Sequence, residues 1–166
     1  MPKTAHFSGF LAIKFSLVRS RIPFLNILSQ LKLENALVKA AGLAKRNAYA
    51  PYSRFRVGAA LLTKGRLIFD GCNVENSSFS LTICAERAAV FKAVSAGHTE
   101  FHAVAIVSDS SDFLPPCGAC LQVLAEFSPK MTVILTNGEG KRKVLNISDL
   151  LPTPADLRRT LTSRRR

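Results

Sequence analysis

From Leu33 onward, apolar residues recur at helical spacing: Leu33, Ala36, Leu37, Ala40, Ala41 and Ala44 share one face. Glu34 near the start and Lys45-Arg46 near the end suit the two ends of a helix dipole. Tyr49-Ala-Pro-Tyr-Ser53 breaks that pattern. Two apolar runs, 57–62 and 67–72, follow across a link of Thr63-Lys-Gly-Arg66, which predicts a β-hairpin turning at Gly65. After a polar loop, residues 84–96 read as a largely buried helix stopped by Gly97. The short continuous apolar run 103–107 predicts a buried strand. Pro115-Pro116 introduces a second helix over 117–127. Strands over 131–135 and 143–147 flank an Asn137-Gly138 turn, and 148–151 reads as a last helical turn. Strands alternating with helices in this order imply a layered α/β domain with helices packed on a central sheet.

Composition narrows the picture. A chain of 166 residues fits one domain with short extensions, and a hydrophobic content of 48% excludes a disordered or collagen-like polymer. No run of 18 apolar residues occurs, so no membrane span is expected. The net charge of +12 suggests nucleic acid, but its placement argues otherwise. Ten of the 23 basic residues lie in two acid-free ends: Lys3, Lys14, Arg19, Arg21 and Lys32, and then five arginines from Arg158 to Arg166. The body between them is nearly neutral, so no specific nucleic-acid partner is expected. Residues 1–32 are read as a basic leader expected to be poorly ordered, residues 33–157 as the domain, and 158–166 as a basic tail. A leader rich in Phe, Leu, Ser and cations, without a carboxylate, also fits an organelle transit peptide. A secretory signal fits worse, because Lys14 interrupts the apolar run. The cytoplasm is the expected location, with organelle targeting the alternative.

The candidate chemistry lies in the cysteines. There are four, too few for a disulfide scaffold in a chain of this length, and only three histidines, His6, His98 and His102. Cys84 and Cys117 each open a helix after a strand and a loop. Right-handed parallel crossovers start such helices at the same sheet edge, the carboxyl ends of the strands. Cys120 lies one turn beyond Cys117, on the same helical face. Three sulfurs therefore converge, with no evident fourth protein ligand, as in a catalytic zinc site with an open position. Glu86, two residues past Cys84, would hang beside that open position. A metal ligand, any residue and Glu, followed later by Pro-Cys-x-x-Cys, is the pattern of zinc nucleobase deaminases. Residues 84–86 and 116–120 reproduce it with sulfur only.

The chain resembles the small zinc cytidine deaminases of pyrimidine salvage over residues 33–152. Four stretches carry the resemblance in order: Tyr52-Ser-Arg-Phe-Arg-Val-Gly-Ala-Ala-Leu61, Gly71-Cys-Asn-Val-Glu-Asn76, Cys84-Ala-Glu-Arg87 and Pro116-Cys-Gly-Ala-Cys120. The resemblance implies a three-layer α/β/α sandwich around a central mixed five-stranded sheet. It implies hydrolytic deamination of cytidine and deoxycytidine to uridine and deoxyuridine with release of ammonia. One zinc ion per subunit would be held by Cys84, Cys117 and Cys120, with Glu86 carrying the proton between water, the ring and the leaving amine. Arg87 resembles the family arginine that bonds to the ligand sulfurs and withdraws charge from an electron-rich centre. Phe55 would pack on the base, the backbone near Ala85 would hold the pyrimidine, and Asn73 and Glu75 would bind the ribose. Glu75 on the 3′-hydroxyl implies a free nucleoside. The family's small members are homotetramers, so a homotetramer is expected. Three departures stand out: Leu121 replaces a usual arginine, Phe79 a common tyrosine, and the text after Leu150-Leu-Pro152 lacks a phenylalanine that often closes a neighbouring site. Cys72 reads as a strand residue outside the ligand set.

Overall fold

A computed structural model describes the backbone of residues 24–156 and the side chains from Ser29. Along the chain run α1 (Phe24–Lys45), the hairpin β1 (Val57–Thr63) and β2 (Ile68–Cys72), then α2 (Ala85–Ser95) and β3 (Phe101–Ser108). They are followed by α3 (Gly118–Phe127), β4 (Thr132–Thr136), β5 (Arg142–Asn146) and the short α4 (Ile147–Leu150). The five strands form one sheet in the order β2-β1-β3-β4-β5. The β3/β4 pair is parallel and the other three pairs are antiparallel. The expected mixed five-stranded sheet is present.

Strand alternation divides the core into two layers, because successive side chains face opposite sides of a sheet. Ala60 and Leu62 of β1, Ala103 and Ala105 of β3, and Ile134 of β4 pack with Leu37 and Ala41 of α1. Their neighbours Ala59, Leu61, Val104, Ile106, Val133 and Leu135 pack on the other side with Ala89, Val90 and Ala93 of α2 and Leu124 of α3. Both faces are covered, so β1 is buried along its whole length. The architecture is the expected α/β/α sandwich.

Two glycines let the layers close. A Cβ on Gly58 would overlap the Ala41 carbonyl of α1, and one on Gly71 would lie 2.5 Å from the Ala89 nitrogen of α2. These are contacts of backbone on backbone, which only glycine permits.

One local feature differs from the expectation, and at the two expected hairpin turns the left-handed residue falls just past the predicted one. α1 begins at Phe24, so residues 24–32, assigned to the leader, are helical; among the described side chains, Ser29 to Lys32 are exposed and burial begins at Leu33. Pro23 directly precedes this helix, a residue suited to a helix start and not to its interior. The rest of the leader and the 158–166 tail lie outside the described residues. At the hairpin, the left-handed residue is Arg66 (φ 64°) and not Gly65, with the Thr63 hydroxyl accepting from the Leu67 amide at 3.0 Å. Between β4 and β5 the left-handed position is Gly140, and the Asn137 side-chain Oδ1 accepts from the amides of Glu139 and Lys141. Gly97 does stop α2 in the left-handed region (φ 86°), its amide donating to Val94 O and that of His98 to Ala93 O.

Candidate active site

β2 and β3 both run antiparallel to β1, which lies between them, so they are parallel to each other. Each leads through a loop into a helix, and the two helix starts meet at one edge of the sheet. Cys84 caps α2 and Cys117 caps α3, both with extended backbone, and Cys120 lies in the first turn of α3. Their three Sγ atoms lie within 4.8 Å of one another, with Cys84 and Cys117 3.9 Å apart. Tetrahedral zinc bonded to sulfur at about 2.3 Å places its sulfurs about 3.8 Å apart, so the cluster has the span of a zinc site. Cys120 is buried, Cys84 half-buried and Cys117 exposed, which leaves the cluster open on one side.

Charge at the cluster is arranged around Cys84. The Cys120 thiol donates to it and Arg87 supports it, so the Cys84 thiol is drawn down to about 5 despite its burial. Cys120, as the donor facing that thiolate, is pushed up. Arg87 Nη2 donates to Cys84 Sγ at 3.6 Å and to Thr82 O at 3.1 Å, while its buried Nε has no hydrogen-bond partner among the described residues. Glu86, in the first turn of α2, is only 5% exposed. Burial, with the nearby Cys84 charge adding to it, raises its carboxyl to about 7 against the pull of its own amide. A carboxyl with that value accepts and returns a proton with almost equal ease near neutrality.

The other half of the site is a stitched loop. Tyr49 N donates to Asn73 O at 3.0 Å and Glu75 N to Tyr49 O at 2.8 Å. Val74 exchanges both backbone bonds with Ile83, at 2.9 and 3.0 Å. The buried Asn73 side chain accepts from Val57 N at 2.8 Å and donates to Phe55 O at 2.9 Å. Glu75, also buried, accepts from Tyr52 N at 2.9 Å, from Ser53 N at 3.2 Å and from the Ser53 hydroxyl. That hydroxyl, together with the two amides, holds the Glu75 carboxyl below the usual carboxylate range. Phe55, half-buried, packs against the α2/α3 layer, and Ala85 is fully buried.

Residues 31–136 match the family model of the cytidine and deoxycytidylate deaminase zinc-binding region. A cytidine deaminase of Halalkalibacterium halodurans is 50% identical over 117 residues, 70% of this chain and 89% of that protein. The crystal structure of a cytidine deaminase from Burkholderia pseudomallei has a TM-score of 0.71 and 48% identity, covering 73% of this chain and 98% of that one. That from Mycobacterium tuberculosis gives 0.66 and 38%, covering 74% and 97%.

The chain belongs to the cytidine and deoxycytidylate deaminase family. It is a zinc-binding family, and three sulfurs with the span and openness described above suit that ion. Measured against its relatives' pattern, Leu121 is a core residue, 8% exposed, in the α2/α3 layer. Arg87 is the cation that acts on Cys84. Phe79 lies exposed on a 3-10 turn, Phe79–Leu81. The chain after Pro152 is pinned to α3, where the Gln122 side chain donates to Ala155 O at 2.8 Å and accepts from its amide at 2.9 Å. Cys72 stands apart from the metal cluster, bonded to Asn47 O, and His98 stacks near Phe69 at 5.3 Å between centroids. Sequence reasoning passed over Ser53. Its signal was local, a serine two residues before an amide it can bond, here Phe55 N at 3.0 Å.

Proposed function

We propose that this chain hydrolyses the amino group of free cytidine and deoxycytidine, giving the uridine nucleosides and ammonia. One observation carries this reading: a buried Glu86 carboxyl lies beside three convergent sulfurs at two helix starts. Zinc held by Cys84, Cys117 and Cys120 would act as a Lewis acid and bring the pKa of a water toward neutrality. Glu86 takes a proton from the attacking water and delivers it to N3 of the ring, which makes C4 more electrophilic. The hydroxide adds to C4; Glu86 then takes the proton of the new C4 hydroxyl and hands it to the exocyclic amine, and the C4–N bond breaks as ammonia leaves and the C4 carbonyl forms. A single side chain both receives and donates, so its carboxyl must stay close to balanced, which its burial secures. Arg87, donating to Cys84 Sγ, would withdraw charge from that sulfur and so temper a bound zinc.

Phe55 packs beside the base, and the amides at the starts of α2 and α3, near Ala85 and Cys117, hold the pyrimidine. Asn73 and Glu75 receive the sugar; after its bonds to residues 55 and 57, the Asn73 amide keeps one N–H and one lone pair for a ligand. A negative Glu75 favours a sugar hydroxyl over a phosphate, which supports a nucleoside over a nucleotide. Exposed Tyr52, Val74, Phe79 and Leu81 around the loop, with Phe91 on α2, support assembly into a homotetramer. Three ligand thiols must stay reduced, which favours the cytoplasm. Among the described residues no helix is long and apolar enough to cross a membrane.

The test is cytidine-to-uridine conversion by the zinc-loaded protein beside Glu86→Gln. Turnover is expected, falling by about 10²–10⁴-fold in the variant while zinc is retained. If the zinc-loaded wild type leaves both nucleosides unchanged, the reading fails.

A further inference from the structure

Glu75 has about four lone-pair positions as an ionised carboxylate. Three are occupied from within the chain: Oε2 accepts from the Tyr52 and Ser53 amides, and Oε1 from the Ser53 hydroxyl. The same hydroxyl accepts from Phe55 N at 3.0 Å, so one oxygen ties the carboxylate to the residue packed beside the base. Arg54, between them, adopts φ 58°, a left-handed backbone that bonds on both flanks keep in place. Glu75 is 5% exposed, so it cannot turn freely to meet a ligand.

We propose that Ser53 is a positioning and specificity-determining residue: its hydroxyl locks the Glu75 carboxylate so that one acceptor position on Oε1 remains, enough for one sugar hydroxyl. The proposal rests on the reading of Glu75 as a sugar-binding residue. Two consequences follow. With one acceptor free, Glu75 cannot bridge a ribose 2′,3′-diol, so cytidine and deoxycytidine should be handled alike at this residue. Without the Ser53 hydroxyl, Oε1 gains a second free position, and a diol acquires an advantage over a single hydroxyl. Ser53 itself is exposed, so its replacement does not open the core.

The experiment compares wild type, Ser53→Ala, Ser53→Thr and Glu75→Gln, zinc-loaded, with cytidine and deoxycytidine as substrates. KM, kcat and melting temperature are read for each. For Ser53→Ala, KM should rise by about tenfold on deoxycytidine, the loss of a bond to a charged group, and by only about two- to threefold on cytidine, with kcat within about twofold for each. The cytidine-to-deoxycytidine ratio of kcat/KM should shift several-fold toward cytidine. Ser53→Thr keeps the hydroxyl and should restore both values. The proposal is overturned if Ser53→Ala leaves KM and the ratio at wild-type values while Glu75→Gln raises KM. It is equally overturned if Ser53→Ala lowers kcat and melting temperature together and threonine restores neither. If Glu75→Gln leaves KM unchanged for both nucleosides, the sugar-binding role of Glu75 falls first and the proposal with it.

Discussion

A methyl group on Gly71 would test how the metal half of the site is held. An added Cβ there would sit 2.5 Å from Ala89 N, 2.7 Å from Ala85 O and 2.9 Å from Ala88 Cβ. All three belong to α2, and two are backbone atoms that cannot rotate away. Relief requires α2 to retreat from β2 by most of an ångström. Overpacking of this kind costs up to about 3 kcal/mol, and rigid neighbours place Gly71→Ala at that upper end. The retreating segment also carries Cys84 and Glu86, whereas zinc–sulfur distances tolerate only about 0.2 Å, so zinc affinity should fall at least about tenfold. Gly42→Ala is the matched control, because a Cβ there meets nothing within 4 Å on α1. It should stabilise by about 0.5–1 kcal/mol through helix propensity and a smaller unfolded-state entropy. Urea unfolding of zinc-loaded protein at one fixed concentration reads both effects, and a chromophoric chelator in competition reads the metal. If Gly71→Ala lies within about 0.5 kcal/mol of wild type and holds zinc as tightly, α2 is not seated on β2 as described.

Two further outcomes are expected. Arg87→Gln removes the cation beside Cys84, so zinc affinity should fall by about 10–100-fold and depend more steeply on pH below neutrality; competition titrations showing wild-type affinity throughout would remove the arginine from this role. Asp109 bridges α1 and the loop before β1 through Lys45 at 2.6 Å and Arg56 at 3.1 Å, which holds its carboxyl below the usual range. Because the folded value is depressed, that stabilisation is present above the ordinary aspartate value near ~3.9 and is lost as pH falls through the folded one. Asp109→Asn should therefore flatten this part of the acid limb of a urea-midpoint profile, and an unchanged limb would show that the pairs contribute nothing.

What was legible in the sequence is what rests on chain direction and periodicity. Right-handed crossovers and helix starts were enough to bring Cys84 and Cys117 together, since both depend on backbone topology alone. The apolar runs gave every strand within a residue or two; burial on both faces explains this for β1, β3 and β4, whereas the edge strands β2 and β5 are exposed or half-buried and were marked by the turns beside them. Where α1 begins was not legible: the described residues just before Leu33, Ser29 to Lys32, are all exposed and set no apolar stripe. Arg66 in the left-handed turn position was equally hidden, for a glycine stood next to it as the cheaper choice. The bonds from residues 52 and 53 to Glu75 span more than 20 positions and involve amides, which no pattern of side chains records.

Those amide bonds explain how two halves of a site, carried by different elements, can act on one small molecule. Tyr49 pairs with Val74, and Val74 with Ile83, directly before Cys84. The short ladder joins the loop that binds Glu75 to the residue that caps α2. On the far side, Asn73 fixes the backbone of Phe55 and Val57, and β1 then runs antiparallel to β3, whose carboxyl end feeds the loop toward Cys117. A displacement of Glu75 is thus resisted by the same backbone that positions Cys84, and the reverse also holds. Catalysis by orientation needs such sharing, because a misplacement of about 1 Å between sugar contacts and reacting carbon costs about 10²-fold in rate. On the proposed reading, the loop from Tyr49 to Val57 would belong to the chemistry as much as the metal cluster does. Its exposed apolar residues, Tyr49, Tyr52 and Val74, lie on that same loop and ladder, so a partner subunit seated there would tighten the sugar end and the metal end together.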